Sequence, residues 1–231
     1  MEKLLKDEHS NLRQLGAVSL IGMALCYICL FIIYGAMINP PHSGAETIDK
    51  ITNLLAQKTL IKAGYVGGYV LFSCFLCVCI QVIHKLYGKS SSFLVNTASL
   101  FGLFWALVVL CTGLIGITSL ETLSAIVNTA PDASEIIYLS SLLMEESLGG
   151  GIEILGGLWV FFLGVVGLRH KCFSRLFSAF SVFKGVIGIS TVVIVDDILL
   201  DLFGLTGIIW FLWFSVIVYS GQKFQDSKAT E

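Results

Sequence analysis

The sequence predicts an all-α fold, a polytopic transmembrane helix bundle of about six membrane helices with short interfacial helices on the outer side. Three observations carry this expectation. Hydrophobic residues make up 56% of the 231 and charged residues 13%, about half the charged share of a soluble domain, and the mean hydropathy is +0.88. Several runs approach or exceed the ~18–20 apolar residues that cross a bilayer, where backbone groups deprived of water must close their hydrogen bonds within helices. Lys and Arg gather in alternate connections, with none from Ser90 to Leu168 or from Gly185 to Gln222.

The whole chain, 1–231, reads as a single integral membrane domain. Residues 1–14 are of mixed charge, with Leu4, Leu5 and Leu12 available to a membrane surface. The first membrane helix, 15–38, is too long for a signal-peptide core and lacks a small-x-small cleavage site, which predicts a retained span. Asn39-Pro40-Pro41 ends it. Residues 45–57 place Ile48, Ile51, Leu54 and Leu55 on one side, as in a helix lying on the membrane. The second helix, 60–86, has Gln81 and His84 as polar exceptions on a stripe with Cys77. The third, 93–117, has a small-residue face of Ser99, Gly102, Ala106, Gly113 and Gly116.

Residues 118–148 form the longest polar connection. Pro131-Asp132 divides it into two short helical pieces, with Asp132 or Ser134 as N-cap. The fourth membrane helix covers 149–168 and the fifth 176–195, closed by Asp196, Asp197 and Asp201. The sixth covers 203–220. Basic residues mark the N-terminal segment, the 84–92 and 169–175 connections and the tail, so the positive-inside tendency puts both termini in the cytoplasm. Lys50, Lys58 and Lys62 dissent mildly.

The fourth helix carries the chain's most unusual pattern. Gly149, Gly150, Glu153, Gly156, Gly157 and Gly164 recur at spacings of three and four, so on one helix they share a face. Such glycines let a neighbouring backbone approach closely, and the same face turns Glu153 toward helix contacts rather than lipid. On the fifth helix Lys184 lies on a polar stripe with Ser181 and Thr191. Intramembrane charges are functional candidates by default. The candidate polar site is therefore Glu153, Lys184, Ser181 and Thr191, read as an ion pair or proton-responsive pair. The plainer alternative is a structural contact, or Lys184 snorkelling toward the interface.

A weaker feature is the outer acidic cluster of Glu145, Glu146, Asp196, Asp197 and Asp201, placed to concentrate cations or simply a solvated face. The seven cysteines lie mostly inside apolar runs, where cysteine behaves as a small hydrophobe, and only Cys172 sits in a connection. No His-Glu-x-x-His, Gly-x-Ser-x-Gly or P-loop pattern occurs. The expectation is thus no catalytic residues, no cofactor and no metal. The net charge of −2 predicts no nucleic-acid surface; the expected partners are the lipid bilayer and a membrane protein or a second copy of the chain.

The glycine-rich entry LGGGIEILGG, the span ending GVVGLRHK, the following FSRLFSAFSVFKGVIGI and the closing GLTGIIWFLWFSVIVYSG resemble a bacterial six-helix integral membrane family known as domain of unknown function 4386. The resemblance implies a multi-pass protein of the bacterial inner membrane and carries over no catalytic residues. The leading functional expectation is non-enzymatic: binding of a partner or small ligand, in stress response or envelope protection. The alternative is a small transporter or channel using Glu153 and Lys184, and an intramembrane enzyme is third.

Overall fold

Apolar side chains recur along every long segment with no polar face wide enough for water, and the chain responds by forming almost nothing but helix. The computed structural model describes residues 2–88, 92–150, 153–194 and 196–221. It is all-α and 87% helical, with no strand among the described residues. The helices are α1 (Glu2–Ile32), α2 (Thr47–Ala56), α3 (Lys58–Gly64), α4 (Phe72–Tyr87), α5 (Ser92–Ile126), α6 (Pro131–Glu145), α7 (Ile154–His170), α8 (Arg175–Ser190) and α9 (Asp197–Ser220). Three π-helical segments interleave with them: π1 (Ile33–Met37) after α1, π2 (Tyr65–Leu71) joining α3 to α4, and π3 (Glu146–Gly150) after α6.

Among the described residues, four stretches are long and apolar enough to cross a membrane: Glu8–Met37, Lys58–Tyr87, Phe93–Ile126 and Ile198–Ser220. Helices α7 and α8 have 17 and 16 residues, so each is about 25 Å long, short of the ~30 Å hydrocarbon core.

Six helices form a closed ring. Helix α1 packs on α4, α4 on α5, α5 on α7, α7 on α8, α8 on α9, and α9 returns to α1. Aromatic side chains from every member fill the middle. Tyr27 and Phe72 meet at 5.2 Å, Phe72 and Trp105 at 5.3 Å, Trp105 and Trp159 at 5.8 Å, and Trp159 and Trp210 at 5.3 Å. Phe177 of α8 stacks on Trp210. Outward stripes remain apolar: Val18, Ile21 and Leu25 on α1, Leu100, Leu103 and Leu107 on α5, and Leu205, Ile209, Leu212 and Val216 on α9 are exposed. Uncovered apolar faces of this extent need lipid or a partner.

The α7–α8 contact is the tightest. A Cβ on Gly157 would lie 2.7 Å from the Ile189 nitrogen and 2.8 Å from the Gly188 carbonyl carbon. One on Gly185 would lie 2.7 Å from the Phe161 nitrogen. Gly164 similarly faces the Ser178 and Val182 backbone, and Gly156 faces the Trp105 ring.

Several expected boundaries shift. The glycine ladder is not one helix: α7 begins at Ile154, Glu153 has the non-helical φ −100°, ψ 24°, and Gly149 and Gly150 belong to π3. Three consecutive glycines at 149–151 offer little helix propensity, so the ladder breaks where it is richest in glycine. Gly151 and Ile152 lie outside the described residues. Helix α5 does not stop at 117 but runs on to Ile126, because Leu120 and Leu123 continue its buried face and Lys58 and Lys62 both pair with Glu121 at 2.7 Å. Neither Asp132 nor Ser134 caps α6. Pro131 occupies its first turn and Ala130 the cap position, without a side-chain bond. The fifth helix ends at Ser190 rather than 195, and the aspartates open α9 instead of closing α8, Asp196 accepting from Ile198 N at 2.9 Å.

Candidate functional site

The break before α7 creates the site. Glu153 sits where the chain has left π3 and not yet entered α7, so its backbone N–H has no helical partner. The Thr191 hydroxyl, just past the end of α8, takes that N–H at 2.9 Å and donates onward to Gly188 O at 2.8 Å. Glu153 O then accepts from Gly157 N, the first turn of α7, at 2.8 Å. A single threonine thus joins the start of α7 to the end of α8, while the glycines between them permit the close approach.

Thr191, Ser181, Ser178 and Lys184 are all buried, Lys184 at 1% exposure. The Lys184 ammonium donates to Phe203 O at 2.7 Å and lies 3.2 Å from the centroid of the Phe203 ring, a desolvated cation–π contact. Gly207 on the next turn of α9 leaves the space for it. Below, Trp210 Nε1 donates to Ser181 Oγ at 2.7 Å, and Ser181 donates to Phe177 O at 2.8 Å. Glu153 and Lys184 are close enough to feel each other's charge but form no hydrogen bond or ion pair. The Phe203 carbonyl and ring hold the ammonium instead.

The Glu153 carboxylate points elsewhere. Its Oε2 is shielded from solvent without a hydrogen-bond partner, and so is the indole N–H of Trp105 beside it. The two orphans, an acceptor and a donor, interact without reaching hydrogen-bond geometry. Native buried polar groups are nearly always bonded, so each exception asks for an explanation.

Glu153 also lines a cleft of about 420 Å³ that enters the ring between α1 and α9. Its walls carry Tyr27, Tyr34 and Gly35 from α1 and π1, Tyr69 from π2, and Leu200, Asp201 and Gly204 from α9. The π-helical segments help to build it. An extra residue per turn rotates the side chains that follow, and such segments are frequent at functional sites. Tyr34, Tyr69 and Glu153 all lie in or just after one. Sequence reading missed Trp105, Phe203 and the three tyrosines; the nearest signal was the pairing of Tyr with Gly at Tyr34-Gly35 and Gly68-Tyr69.

The outer acidic residues differ in their contacts. Glu145 accepts from Tyr65 OH at 2.7 Å, Glu146 opens π3, Asp196 caps α9 and Asp201 faces the cleft. Asp197 begins α9 and its side chain is outside the described set. No three His, Cys, Asp or Glu among the described residues are grouped to hold a metal ion. At the opposite end of the ring His84 Nδ1 lies 3.0 Å from Ser99 Oγ in a second groove, of about 540 Å³, with Gln81 and Asn96.

Burial pushes the Glu145 carboxyl above the usual glutamate range, and the Tyr65 hydrogen bond offsets this only in part. A raised folded-state pKa contributes stability that is complete below the unfolded pKa and is lost as pH rises through the folded one. Glu145→Gln is therefore expected to raise the melting temperature at neutral pH. The gain should vanish on acidification below about pH 4, where both side chains are neutral. Thermal unfolding across a pH series checks this, and a variant that is less stable at neutral pH refutes it.

These features define a class: an all-α protein that has, among the described residues, four helices able to span a membrane, closed by two shorter helices into a six-membered ring around an aromatic core, with a largely apolar cleft that holds two carboxylates. Neither a protein-family model, nor a curated protein, nor a solved structure matches the chain.

Proposed function

We propose that this is a six-pass protein of the bacterial cytoplasmic membrane that binds a small ligand in the cleft floored by Glu153, without catalysing a reaction on it. The observation carrying the ligand reading is that cleft. About 420 Å³ is within the usual size of small-molecule sites, and a buried, unpartnered carboxylate oxygen beside it is costly unless something uses it.

Six passages are supported by the depth of the α7–α8 connection. Phe173 packs on Tyr87 at the end of α4 and on Phe214 late in α9, while the other ends of α7 and α8 meet Phe203 near the start of α9. The pair therefore follows α9 from its second turn to its last third. Orientation follows from charge. Arg169, Lys171, Arg175 and Lys85, the last paired with Glu8, lie at the Phe173 end, which the positive-inside tendency puts in the cytoplasm. The dissenting Lys58 and Lys62 both pair with Glu121, which offsets one of their two positive charges. Helix α6, with Ile136, Leu139 and Leu143 exposed, then rests on the outer surface of the bilayer. The likeness to domain of unknown function 4386 points the same way.

Gly35 provides the test, because it lines the cleft and a Cβ there meets nothing within 4 Å, so a larger side chain can be attached without a clash at its root. Native mass spectrometry of the protein extracted from membranes in mild detergent should show a bound small molecule that Gly35→Phe abolishes. Identical spectra from both proteins would overturn the reading.

A further inference from the structure

We infer that the cleft recognises a protonated amine carried on a small apolar body; this rests on the ligand-binding reading above. The lining supplies two carboxylates, Glu153 and Asp201, and three phenol rings, Tyr27, Tyr34 and Tyr69, with no Lys, Arg or His among them. Aromatic faces and carboxylates together are the surroundings an ammonium prefers, and an anion would meet only like charge.

The carboxylates are also uncommitted. Asp201 is exposed, with no ion pair or hydrogen bond from its side chain among the described residues. Glu153 Oε2 is buried and unpartnered. Lys184, the cation nearby among the described residues, spends its ammonium on Phe203 O and the Phe203 ring and leaves the acceptor capacity of Glu153 intact. By contrast, the carboxylates outside the cleft are engaged where they meet a partner: Glu121 by two lysines and Glu145 by Tyr65. The phenol hydroxyls of Tyr27, Tyr34 and Tyr69 bond to no other described residue, so each remains available as an acceptor for an ammonium N–H. Leu30, Phe31 and Leu200 complete the walls and provide the apolar contact for the rest of the ligand.

Three probes of one shape and different charge test this on the full chain in lipid nanodiscs, with empty nanodiscs as the partition control: 2-phenylethylammonium, 2-phenylethanol and phenylacetate. Ligand-observed NMR titration should give the ammonium at least about tenfold tighter binding than the alcohol, from the added charge-assisted and cation–π contacts, and no binding of the carboxylate. Glu153→Gln and Asp201→Asn should each erase about tenfold of that preference and leave the alcohol unchanged. Asp201 is exposed, so its variant decides the matter if Glu153→Gln does not fold. Equal binding of ammonium and alcohol, a preference for phenylacetate, or a preference untouched by Asp201→Asn overturns the amine inference while the cleft remains a ligand site. Failure of all three probes also overturns it, and the bound-molecule comparison with Gly35→Phe then decides the ligand reading separately.

Discussion

Gly157→Val is expected to cost this protein more stability than any other single change on α7. The added carbons have nowhere to go. The first of them would stand 2.7 Å from Ile189 N, 2.8 Å from the Gly188 carbonyl carbon and 2.9 Å from Gly185 O, all backbone atoms of the facing helix. Side chains can rotate away from an intruder, but backbone cannot without moving α8 as a whole. Overpacking in a core costs typically ~1–3 kcal/mol when side chains can yield, so the effect here should reach or exceed the upper figure. It would also carry Thr191 away from Glu153 N, because the Thr191–Glu153 bond spans the same seam. Gly67 is the control: a Cβ there meets nothing within 4 Å, so Gly67→Ala should leave the melting temperature nearly unchanged. Thermal unfolding of the two variants in the same detergent gives the comparison. For a chain of this size ~3 kcal/mol corresponds to a fall of about 6–12 °C, and a Gly157 variant as stable as the Gly67 one would show that the α7–α8 approach is not what holds the ring closed.

The contrast between those two glycines shows what the sequence reveals. Hydropathy exposes the membrane-competent segments because a bilayer constrains length and polarity together. The period of 3.6 exposes the buried side of α8: Ser178, Ser181, Lys184, Gly188 and Thr191, spaced by three and four, are all buried. Glycine is ambiguous in a way those rules cannot resolve. The same residue loosens a helix and lets two helices touch, so a run of glycines reads equally as a break and as a seam. Gly149 and Gly150 fall at the break, Gly157 and Gly164 at the α7–α8 seam, and Gly156 against the Trp105 ring of α5, a division that the spacing of the glycines does not reveal.

The site was half legible for a related reason. Glu153 and Lys184 stand out because charge in an apolar run is rare. Their partners do not, since Lys184 is held by a main-chain carbonyl and an aromatic face, neither of which has a motif. The cleft is hidden still further. It depends on π-helical segments that shift the phase of Tyr34 and Tyr69 relative to the helices around them, and a side-chain period fitted to α-helix places both residues on the wrong bearing.

Lys184→Met should in turn destabilise the protein strongly, and a second substitution should reverse most of the loss. Methionine conserves the length and flexibility of the side chain and fills the same aromatic slot. Phe203 O loses its ammonium but stays bonded, since Thr206 Oγ1 also donates to it at 3.2 Å, so no orphan arises on α9. The damage lies at Glu153. Its carboxylate is flanked by Trp105, and among the described residues Lys184 is the cation close enough to act on it. The two groups form no ion pair, so the loss should fall below the about 3–5 kcal/mol of breaking a buried salt bridge, but Glu153 is left without the opposite charge nearby. Replacing that carboxylate as well, in Lys184→Met with Glu153→Gln, removes the stranded charge and keeps the size of the side chain beside Trp105. The double variant should therefore lie closer to the parent than Lys184→Met alone, with a coupling energy of about 1–3 kcal/mol, the range seen for residues that share a network. Chemical or thermal unfolding of the four proteins closes the cycle. Additive losses would mean that Lys184 serves only to tie α8 to α9, and that Glu153 keeps its charge by contact with water in the cleft rather than with help from the lysine.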